Sequence, residues 1–354
     1  MINNSQKAFL ELVKAGLWGG INPEIRIDGT TDWQEVYRLA TEQSVLGLVL
    51  DGLEHSDVKP PQMLLLQWIG GVRVIEQRNK EMNAFVADLI EKLRKEDIYA
   101  LLVKGQGVAQ CYEHPLWRFC GDVDLLLSED NYHRAIDFLT PIADESKYAG
   151  RYSKEYVVRF HPWTIELHGT LRTGLSYRLD KSIDDVQRDV FYRGNARSWE
   201  NKGTTVFLPS SDNDVFFVFS HFIKHFYKEG MNLRQVCDWC RLIWTFRSDL
   251  DLRVLETRIR KAGLMAEWKA FAALAVEYLG MPKEAMPMYE LRFRIKGSCV
   301  LKHILKGDKY SKVKGTWAIA KIFPWNTIKF LPSIFLNVNW LKIKERFFER
   351  NQIN

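Results

Sequence analysis

The sequence lacks the features of a membrane or secreted protein. None of its 354 residues belongs to a run of about 18 uninterrupted apolar residues, the length that a transmembrane helix needs. Glu11 and Lys14 interrupt the apolar run at residues 8–17, which argues against a secretory signal. The five cysteines are odd in number and scattered, which is typical of reduced thiols. We therefore expect a cytoplasmic protein.

Internal repeats and low-complexity segments are also missing, and a hydrophobic fraction of 46% indicates packed cores. Composition divides the chain into four regions. Residues 1–95 are predicted to be helical, and residues 96–210 carry the predicted strands. Residues 211–290 show helical periodicity with glycines between the segments, which predicts a bundle. Residues 291–354 form a basic, aromatic extension.

Local patterns give bounds for the main elements. Among the helices, we expect Ser5 to cap the first, Asp32 to precede one over 33–53, and Pro60-Pro61 to open a long one that ends near Arg94. Asp212 is predicted to cap the first helix of the bundle. The polar stretch 171–201 is expected to be partly helical. The predicted strands are 99–103, 122–127, 157–160, 164–168 and 204–208.

Residues 101–127, LLVKGQGVAQCYEHPLWRFCGDVDLLL, carry the strongest chemical signal. We predict a buried strand that ends at Lys104-Gly105, a short helix over 106–112, and a second strand from Asp122. Alternation along that strand places Asp122 and Asp124 on one face. Neighbouring carboxylates repel each other, so one takes up a proton unless a cation compensates. A divalent ion would keep both ionised, and such oxygen ligands suit Mg²⁺ or Mn²⁺.

This stretch resembles a known family. Its Lys104-Gly105 turn, its Arg118 and its Gly-Asp-Val-Asp-Leu-Leu segment at 121–126 resemble the uncharacterised bacterial nucleotidyltransferases of the DNA polymerase β superfamily. The superfamily expects a third carboxylate on a later strand, and Glu166 in WTIELH (163–168) supplies it. The resemblance implies an α+β fold, in which a small mixed-sheet nucleotidyltransferase core is flanked by N-terminal and C-terminal helical regions.

The resemblance also implies an activity. A metal-dependent nucleotidyltransferase moves a nucleoside monophosphate from a nucleoside triphosphate (NTP) to a hydroxyl acceptor and releases pyrophosphate. Asp122, Asp124 and Glu166 would be the catalytic and metal-binding residues, with Mg²⁺ or Mn²⁺ as cofactor and Glu166 as a candidate base. The implied nucleotide contacts, at the turn and the helix after it, are Lys104, Gly105, Gln106 and Arg118.

Further residues are candidates for the substrate cleft. His221 and His225 lie four apart on one predicted helix face, and Arg234 and Asp238 follow on the next helix. Together they resemble the His-rich helix and the Leu-Arg-x-x-x-Asp helix of the same family. His168 shares a strand face with Glu166 and is a candidate for contact with substrate or metal. Each histidine has an alternative interpretation as a buried residue of the core.

The basic extension is open to three interpretations. Residues 291–354 contain 14 Lys or Arg against three acidic residues, a net charge of +11, whereas the whole chain carries +6. Aromatic residues are interleaved with these charges. Such a segment can contact an anionic membrane surface peripherally or bind nucleic acid, of which nucleic acid is the less favoured. It can also be a helical appendage with solvated lysines.

The function is therefore predicted with alternatives. The favoured hypothesis is the nucleotidyltransferase, with an NTP and an unknown hydroxyl acceptor, a small molecule or a protein, as partners. The alternatives are a non-catalytic module that has kept the fold, and a protein that binds RNA or a membrane surface through its basic extension. Asp122 and Asp124 alone would also fit two solvated carboxylates at the end of a strand.

Overall fold

A computed structural model of the chain describes residues 3–19, 27, 30–150, 154–194, 196–306 and 312–336. Within these residues the strands form a mixed five-stranded sheet and a two-stranded hairpin, and helices flank both. The predicted α+β class is confirmed. The strands are β1 (Ala100–Val103), β2 (Val123–Leu127), β3 (Glu145–Gly150), β4 (Glu155–Phe160), β5 (Trp163–His168), β6 (Ala196–Asn201) and β7 (Thr204–Pro209).

The strand order β1-β2-β5-β4-β3 places the two strands with the predicted carboxylates side by side. β2 and β5 run parallel, whereas the other neighbouring strands of the sheet run antiparallel. In this register Asp124 lies opposite Glu166, and Leu126 lies opposite His168. Since side chains alternate between the faces of a strand, Asp124, Glu166 and His168 emerge on one face.

Helices cover both faces of the sheet. Leu101, Val103 and Leu126 join the core of the helical bundle, whereas Leu102 and Leu125 pack into a second core beneath the long helix of residues 62–95. Burial on both faces explains why β1 and β2 are apolar at nearly every position. Asp124 is the exception in β2. An almost fully buried carboxylate on a central strand requires compensating partners.

The N-terminal helices pack against the C-terminal bundle. Trp18 is buried, and its indole Nε1 donates to the carbonyl oxygen of Leu279 at 2.6 Å. Side chains of both regions belong to the same hydrophobic core. The first helices are α1 (Asn4–Trp18), α2 (Trp33–Glu42), α3 (Leu46–Glu54) and α4 (Gln62–Lys95).

The bundle is built around an aromatic cluster on three helices. Phe219, Trp239 and Trp268 are fully buried, and their ring centroids lie 4.7 to 5.5 Å apart. Contacts of this size and geometry bury a large apolar area between the three helices. The helices from the sheet through the bundle are α5 (Gly105–Ala109), α6 (Glu129–Leu139), α7 (Tyr177–Arg193), α8 (Ser211–Lys228), α9 (Leu233–Thr245), α10 (Leu252–Ala262) and α11 (Met265–Leu279).

The described part of the basic extension continues the bundle. It forms α12 (Arg294–Lys306), α13 (Lys312–Ile322) and α14 (Pro324–Leu336). Its buried apolar side chains belong to the same core as α8 to α11, and Asn326 Nδ2 donates to Glu267 Oε1 at 2.7 Å. The remainder of the predicted extension, 337–354, lies outside the described residues. No described helix combines the length and the apolar character needed to cross a membrane.

Three helix predictions were wrong. The N-cap of α1 is Asn3, which accepts from Gln6 N, rather than Ser5. Residues 33–53 form two helices, because the backbone turns at Ser44 with φ at 56°. Asp212 does not cap α8; it lies in the first turn and accepts from Asp251 N at 2.9 Å. The two wrongly predicted caps are engaged in tertiary contacts instead, because Ser5 Oγ accepts from Asp32 N at 3.1 Å and Asp212 accepts from Asp251 N.

The strand predictions missed β3 and β6. Both lie at the edge of their sheet or hairpin, and their sequences, ESKYAG and ARSWEN, are too polar to show a buried face. In addition, β2 begins at Val123, so that Asp122 precedes the strand instead of opening it. Asp122 therefore approaches the sheet from a loop, whereas Asp124 is held by strand pairing on both sides.

Candidate active site

The turn between β1 and α5 brings a lysine to the carboxylates. Lys104 has φ at 59° and ψ at −140°, and Gly105 follows with φ at 34°. A positive φ costs a residue with a side chain roughly 1–3 kcal/mol, and such strain persists where the surroundings hold it. Here the Lys104 ammonium donates to Asp124 Oδ1 at 2.6 Å. The five-residue α5 has a weak dipole, so the lysine is the main positive charge of this turn.

Asp124, Glu166 and His168 form a compact group of three potential metal ligands. One donor atom from each lies within 4.8 Å of the others. His168 Nε2 lies 2.8 Å from Asp124 Oδ1 and 3.5 Å from Glu166 Oε2. Asp124 and His168 are buried, whereas Glu166 is partly open to the cleft. Two strands fixed in register hold all three donors, so the group is preorganised.

The charges in this group depend strongly on one another. Burial alone would raise the pKa of Asp124, but the Lys104 ammonium and the His168 imidazole outweigh it and lower that pKa well below its usual range. Burial would likewise lower the pKa of His168, yet its hydrogen bonds to Asp124 and Glu166 raise it. The ionised form of Asp124 and the protonated form of His168 thus stabilise each other.

Asp122 has the opposite behaviour. The negative charge of Asp124, burial and the charge of Glu166 together raise the pKa of Asp122 from 3.8 to about 6. Lys104 and Arg234 offset this increase in part. The surplus of negative charge predicted from the sequence is therefore present, and it falls on Asp122.

A second ion pair also lines the cleft. Arg118 donates through Nε to Asp238 Oδ1 at 3.0 Å and through Nη2 to Oδ2 at 2.6 Å, and Tyr112 donates to Oδ1 at 2.8 Å. Arg118 Nη1 donates to the Phe119 carbonyl oxygen. The sequence predicted Arg118 as a nucleotide contact. In the structure every nitrogen of Arg118 already donates to a protein atom, and its ion pair with Asp238 joins the 113–121 loop to α9.

Arg234 lies next to this pair and retains donor capacity. Its Nη1 donates to the Phe119 carbonyl oxygen at 2.7 Å, the same oxygen that Arg118 Nη1 reaches at 3.1 Å. Among the described residues, the buried Nε of Arg234 has no acceptor and no carboxylate lies within 4.0 Å of the guanidinium. Burial and the charge of Arg118 lower the pKa of Arg234. This arginine is an incompletely compensated cation in the wall of the cleft.

Two histidines line another part of the cleft. His221 Nε2 and His225 Nε2 lie 2.9 Å apart on α8, and His225 Nδ1 lies 2.8 Å from Glu229 Oε2. Burial, followed by the charges of Lys104 and His225, lowers the pKa of His221 well below its usual value. At neutral pH His221 is therefore an uncharged imidazole beside the carboxylates.

A single cleft of about 840 Å³ collects nearly all the residues singled out from the sequence. Its volume is within the usual range for small-molecule sites. Gln106 is the exception, because its side chain is buried beneath α4 against Met82. The candidates that line the cleft are Lys104, Gly105, Arg118, Asp122, Asp124, Glu166, His168, His221, His225, Arg234 and Asp238.

Sequence reasoning missed other lining residues. Lys224 shares the helix face of His221 and His225, so the three- and four-residue spacing on α8 would have identified it. Arg172 and Gln43 come from connections without a recognisable motif. Gln43 also organises the wall, because its Oε1 accepts from Leu233 N at 2.8 Å at the start of α9.

The fold and the cleft define an α+β protein with an acidic, metal-competent site. Residues 29–280, or 252 of 354, match the model of the family described as uncharacterised nucleotidyltransferase, so the chain belongs to that family. Nucleotidyltransferase is thus confirmed as the general class.

Other comparisons are more distant. No curated protein matches the chain. A similar solved structure is that of an antigenic nucleotidyltransferase-like protein from Paracoccidioides brasiliensis, with 15% identity, coverage of 57% of this chain and 93% of that chain, and a TM-score of 0.34.

Proposed function

We propose that the cleft transfers a nucleoside monophosphate from an NTP to a hydroxyl acceptor and releases pyrophosphate, in the manner of the DNA polymerase β superfamily. The observation that carries the proposal is the group formed by Asp124, Glu166 and His168 on two paired strands. Their donor atoms converge in a cleft lined by several cationic side chains. Acidic metal ligands beside cationic phosphate contacts are what phosphoryl chemistry requires.

The three donors fit a divalent cation. Once His168 gives up the proton that its Nε2 shares with Asp124, two carboxylates and an imidazole nitrogen match Mn²⁺ well, whereas Mg²⁺ prefers oxygen ligands alone and would rely more on the carboxylates. Asp122 lies outside the group of three and stays a predicted further ligand. A bound ion would supply Lewis-acid stabilisation of the charge that develops on the reacting phosphate.

The chain's own residues prepare this site for transfer. His168 and Lys104 hold Asp124 ionised and fixed in orientation through contacts at 2.8 and 2.6 Å. Glu166 is the partly exposed carboxylate of the group, so we assign to it the role of base that takes the proton from the acceptor hydroxyl. The uncharged His221 faces the same cleft and is available to an incoming polar group.

We assign the main phosphate contact to Arg234. The side-chain cations among the predicted nucleotide contacts are Lys104 and Arg118, but Lys104 lies against Asp124, and Arg118 makes two parallel hydrogen bonds to Asp238. Arg234 contributes positive charge that reaches Asp122, and the hydrogen bond from its Nη1 to Phe119 leaves its Nη2 without an acceptor among the described residues. Arginine suits this role because its planar fork matches phosphate oxygens.

The proposal also covers the chemical class of the acceptor and the cellular compartment of the reaction. The size of the cleft, about 840 Å³, favours a small molecule or an extended protein side chain over a nucleic acid duplex. All five cysteines are free thiols, four of them buried, which supports the proposal of a reducing, cytoplasmic environment.

Calorimetric titration with each NTP, with and without Mn²⁺ or Mg²⁺, tests the proposal. We expect metal-dependent binding that falls at least about a hundredfold in Asp124→Asn, because the variant loses a metal ligand. Glu155→Gln is the matched control, since Glu155 also lines the cleft but lies outside the three-ligand group. Failure to bind any NTP, or equal binding by Asp124→Asn, would contradict the proposal.

A further inference from the structure

The last described helix, α14, has two faces of different character. Phe330 and Ile334 are buried in the bundle core. On the opposite side Trp325 and Ile328 are 77% and 60% exposed, and Leu331 is 36% exposed. Because these three residues recur at intervals of three, they form a stripe along one helix face. We call Trp325, Ile328 and Leu331 the α14 stripe.

The inner face of α14 fixes the orientation of the stripe. Asn326 donates to the carbonyl oxygen of Gly263 at 3.1 Å and to Glu267 Oε1 at 2.7 Å. At the other end Ser333 Oγ donates to the Gly174 carbonyl oxygen. The helix is therefore fastened to the bundle at both ends, and the stripe is presented outward by a rigid support.

The stripe lies in a basic segment of the chain. The segment 312–336 contains Lys312, Lys314, Lys321 and Lys329 and no acidic residue. Trp317 on α13 is also 68% exposed. A second exposed apolar set, Met63, Leu66 and Val74 on α4, differs in this respect, because α4 carries both acidic and basic side chains.

We propose that the α14 stripe and its lysines dock the protein on an anionic lipid surface. Exposed tryptophan and aliphatic side chains with flanking lysines are the composition of helices that lie in the membrane interface. The lysines complement the anionic headgroups, and the stripe enters the boundary of the acyl chains. Nucleic acid would use the lysines and the tryptophans but would leave Ile328 and Leu331 without apolar contact.

Docking would also orient the cleft. Ser333 binds the 170–174 connection, and Thr170, Arg172 and Thr173 of this connection line the cleft. A protein held through α14 would therefore have a fixed orientation, with this wall of the cleft on the side of α14 that faces away from the surface.

Co-sedimentation of the full chain with vesicles tests the proposal. Vesicles of phosphatidylglycerol and phosphatidylcholine in equal parts are compared with pure phosphatidylcholine. We expect at least tenfold tighter binding to the anionic vesicles, and a loss of about fivefold for each lysine in Lys321→Gln and Lys329→Gln. Trp325→Ser combined with Ile328→Ser should lose at least tenfold.

A double substitution on α4 is the control for the loss of exposed apolar side chains. Leu66→Ser combined with Val74→Ser removes exposed apolar groups from α4 and should bind vesicles as the unaltered protein does. Circular dichroism melts confirm that both double variants stay folded, as expected for exposed positions. Equal vesicle binding by the α14 and α4 variants, or no binding to anionic vesicles, overturns the proposal. Salt-sensitive binding of a single-stranded RNA without vesicle binding would also overturn it, in favour of nucleic acid.

Discussion

Two buried carboxylates line the cleft, each paired with a cation at 2.6 Å, yet the two pairs differ in charge balance. Asp238 faces Arg118 through two parallel hydrogen bonds and accepts a third from Tyr112. Asp124 faces the single ammonium of Lys104 and the ring of His168, and two more carboxylates, Asp122 and Glu166, lie close by. One pair is complete, whereas the other has surplus negative charge.

The difference separates a structural ion pair from a binding site. Burial would raise the pKa of Asp238, but Arg118 outweighs it and lowers that pKa, and Asp238 raises the pKa of no carboxyl group among the described residues. In the other pair, the lowered pKa of Asp124 is accompanied by the raised pKa of Asp122. An additional cation would therefore bind weakly beside Asp238, whose charge is already neutralised, and more strongly beside Asp124, where negative charge is in excess.

The largest expected effect is a loss of folding stability when the Arg118–Asp238 pair is broken. Asp238→Asn should lower the free energy of unfolding by about 3–5 kcal/mol, because it leaves Arg118 buried without a carboxylate. Asp124→Asn should cost only about 1–2 kcal/mol, since Lys104 still faces Glu166 and Asp122. Urea denaturation in the presence of chelator measures both values. A larger loss in Asp124→Asn would contradict the comparison.

The surplus charge predicts a dependence on pH. The folded-state pKa of Asp122 is raised from 3.8 to about 6, so the folded protein binds the proton more tightly than the unfolded chain. Stability is therefore lost as pH rises from about 4 through about 6. Asp122→Asn removes this loss, and without metal it should be more stable than the unaltered protein by roughly 2–3 kcal/mol at pH 8. The two proteins should unfold alike at pH 4; a constant difference across this range would refute the prediction.

Arg234, which has no carboxylate partner among the described residues, should contribute to NTP binding. Arg234→Gln should weaken NTP binding about ten- to a hundredfold, the range for loss of a charge-assisted hydrogen bond. Arg234→Lys should recover part of the affinity because it keeps the charge. Calorimetry measures the affinities, and Arg253→Gln on the exposed face of α10 is the control. Unaltered binding by Arg234→Gln would remove Arg234 from the site.

The smallest expected effect is that of Lys104 on metal binding. Lys104→Met should tighten Mn²⁺ binding roughly tenfold in the absence of nucleotide, because the ammonium no longer competes for Asp124. Electron paramagnetic resonance of free Mn²⁺ measures this affinity. Lys224→Met, from another wall of the cleft, should leave it unaltered. Weaker Mn²⁺ binding in Lys104→Met would show that the lysine supports the metal site instead of competing with it.

Sequence patterns predicted the parts of the fold that local chemistry controls. The long α4 begins after Pro61, as expected, because Pro60-Pro61 cannot lie inside a helix. The apolar runs of β1 and β2 were recognisable because burial on both faces excludes polar residues. The polar edge strands β3 and β6 were missed, since pairing with a neighbour rather than their own composition makes them strands.

For the site, the sequence alone identified the acidic residues and their order along the chain, because carboxylates on a buried strand and a glycine turn are local signals. Tertiary structure decided their roles. The parallel pairing of β2 with β5 placed Asp124 opposite Glu166. The packing of α9 against the 113–121 loop paired Asp238 with Arg118, so that Arg234 has no carboxylate within 4.0 Å among the described residues. The physical reason is that charge balance is a sum over neighbours in space, and for Asp124 and Asp238 those neighbours are distant in sequence.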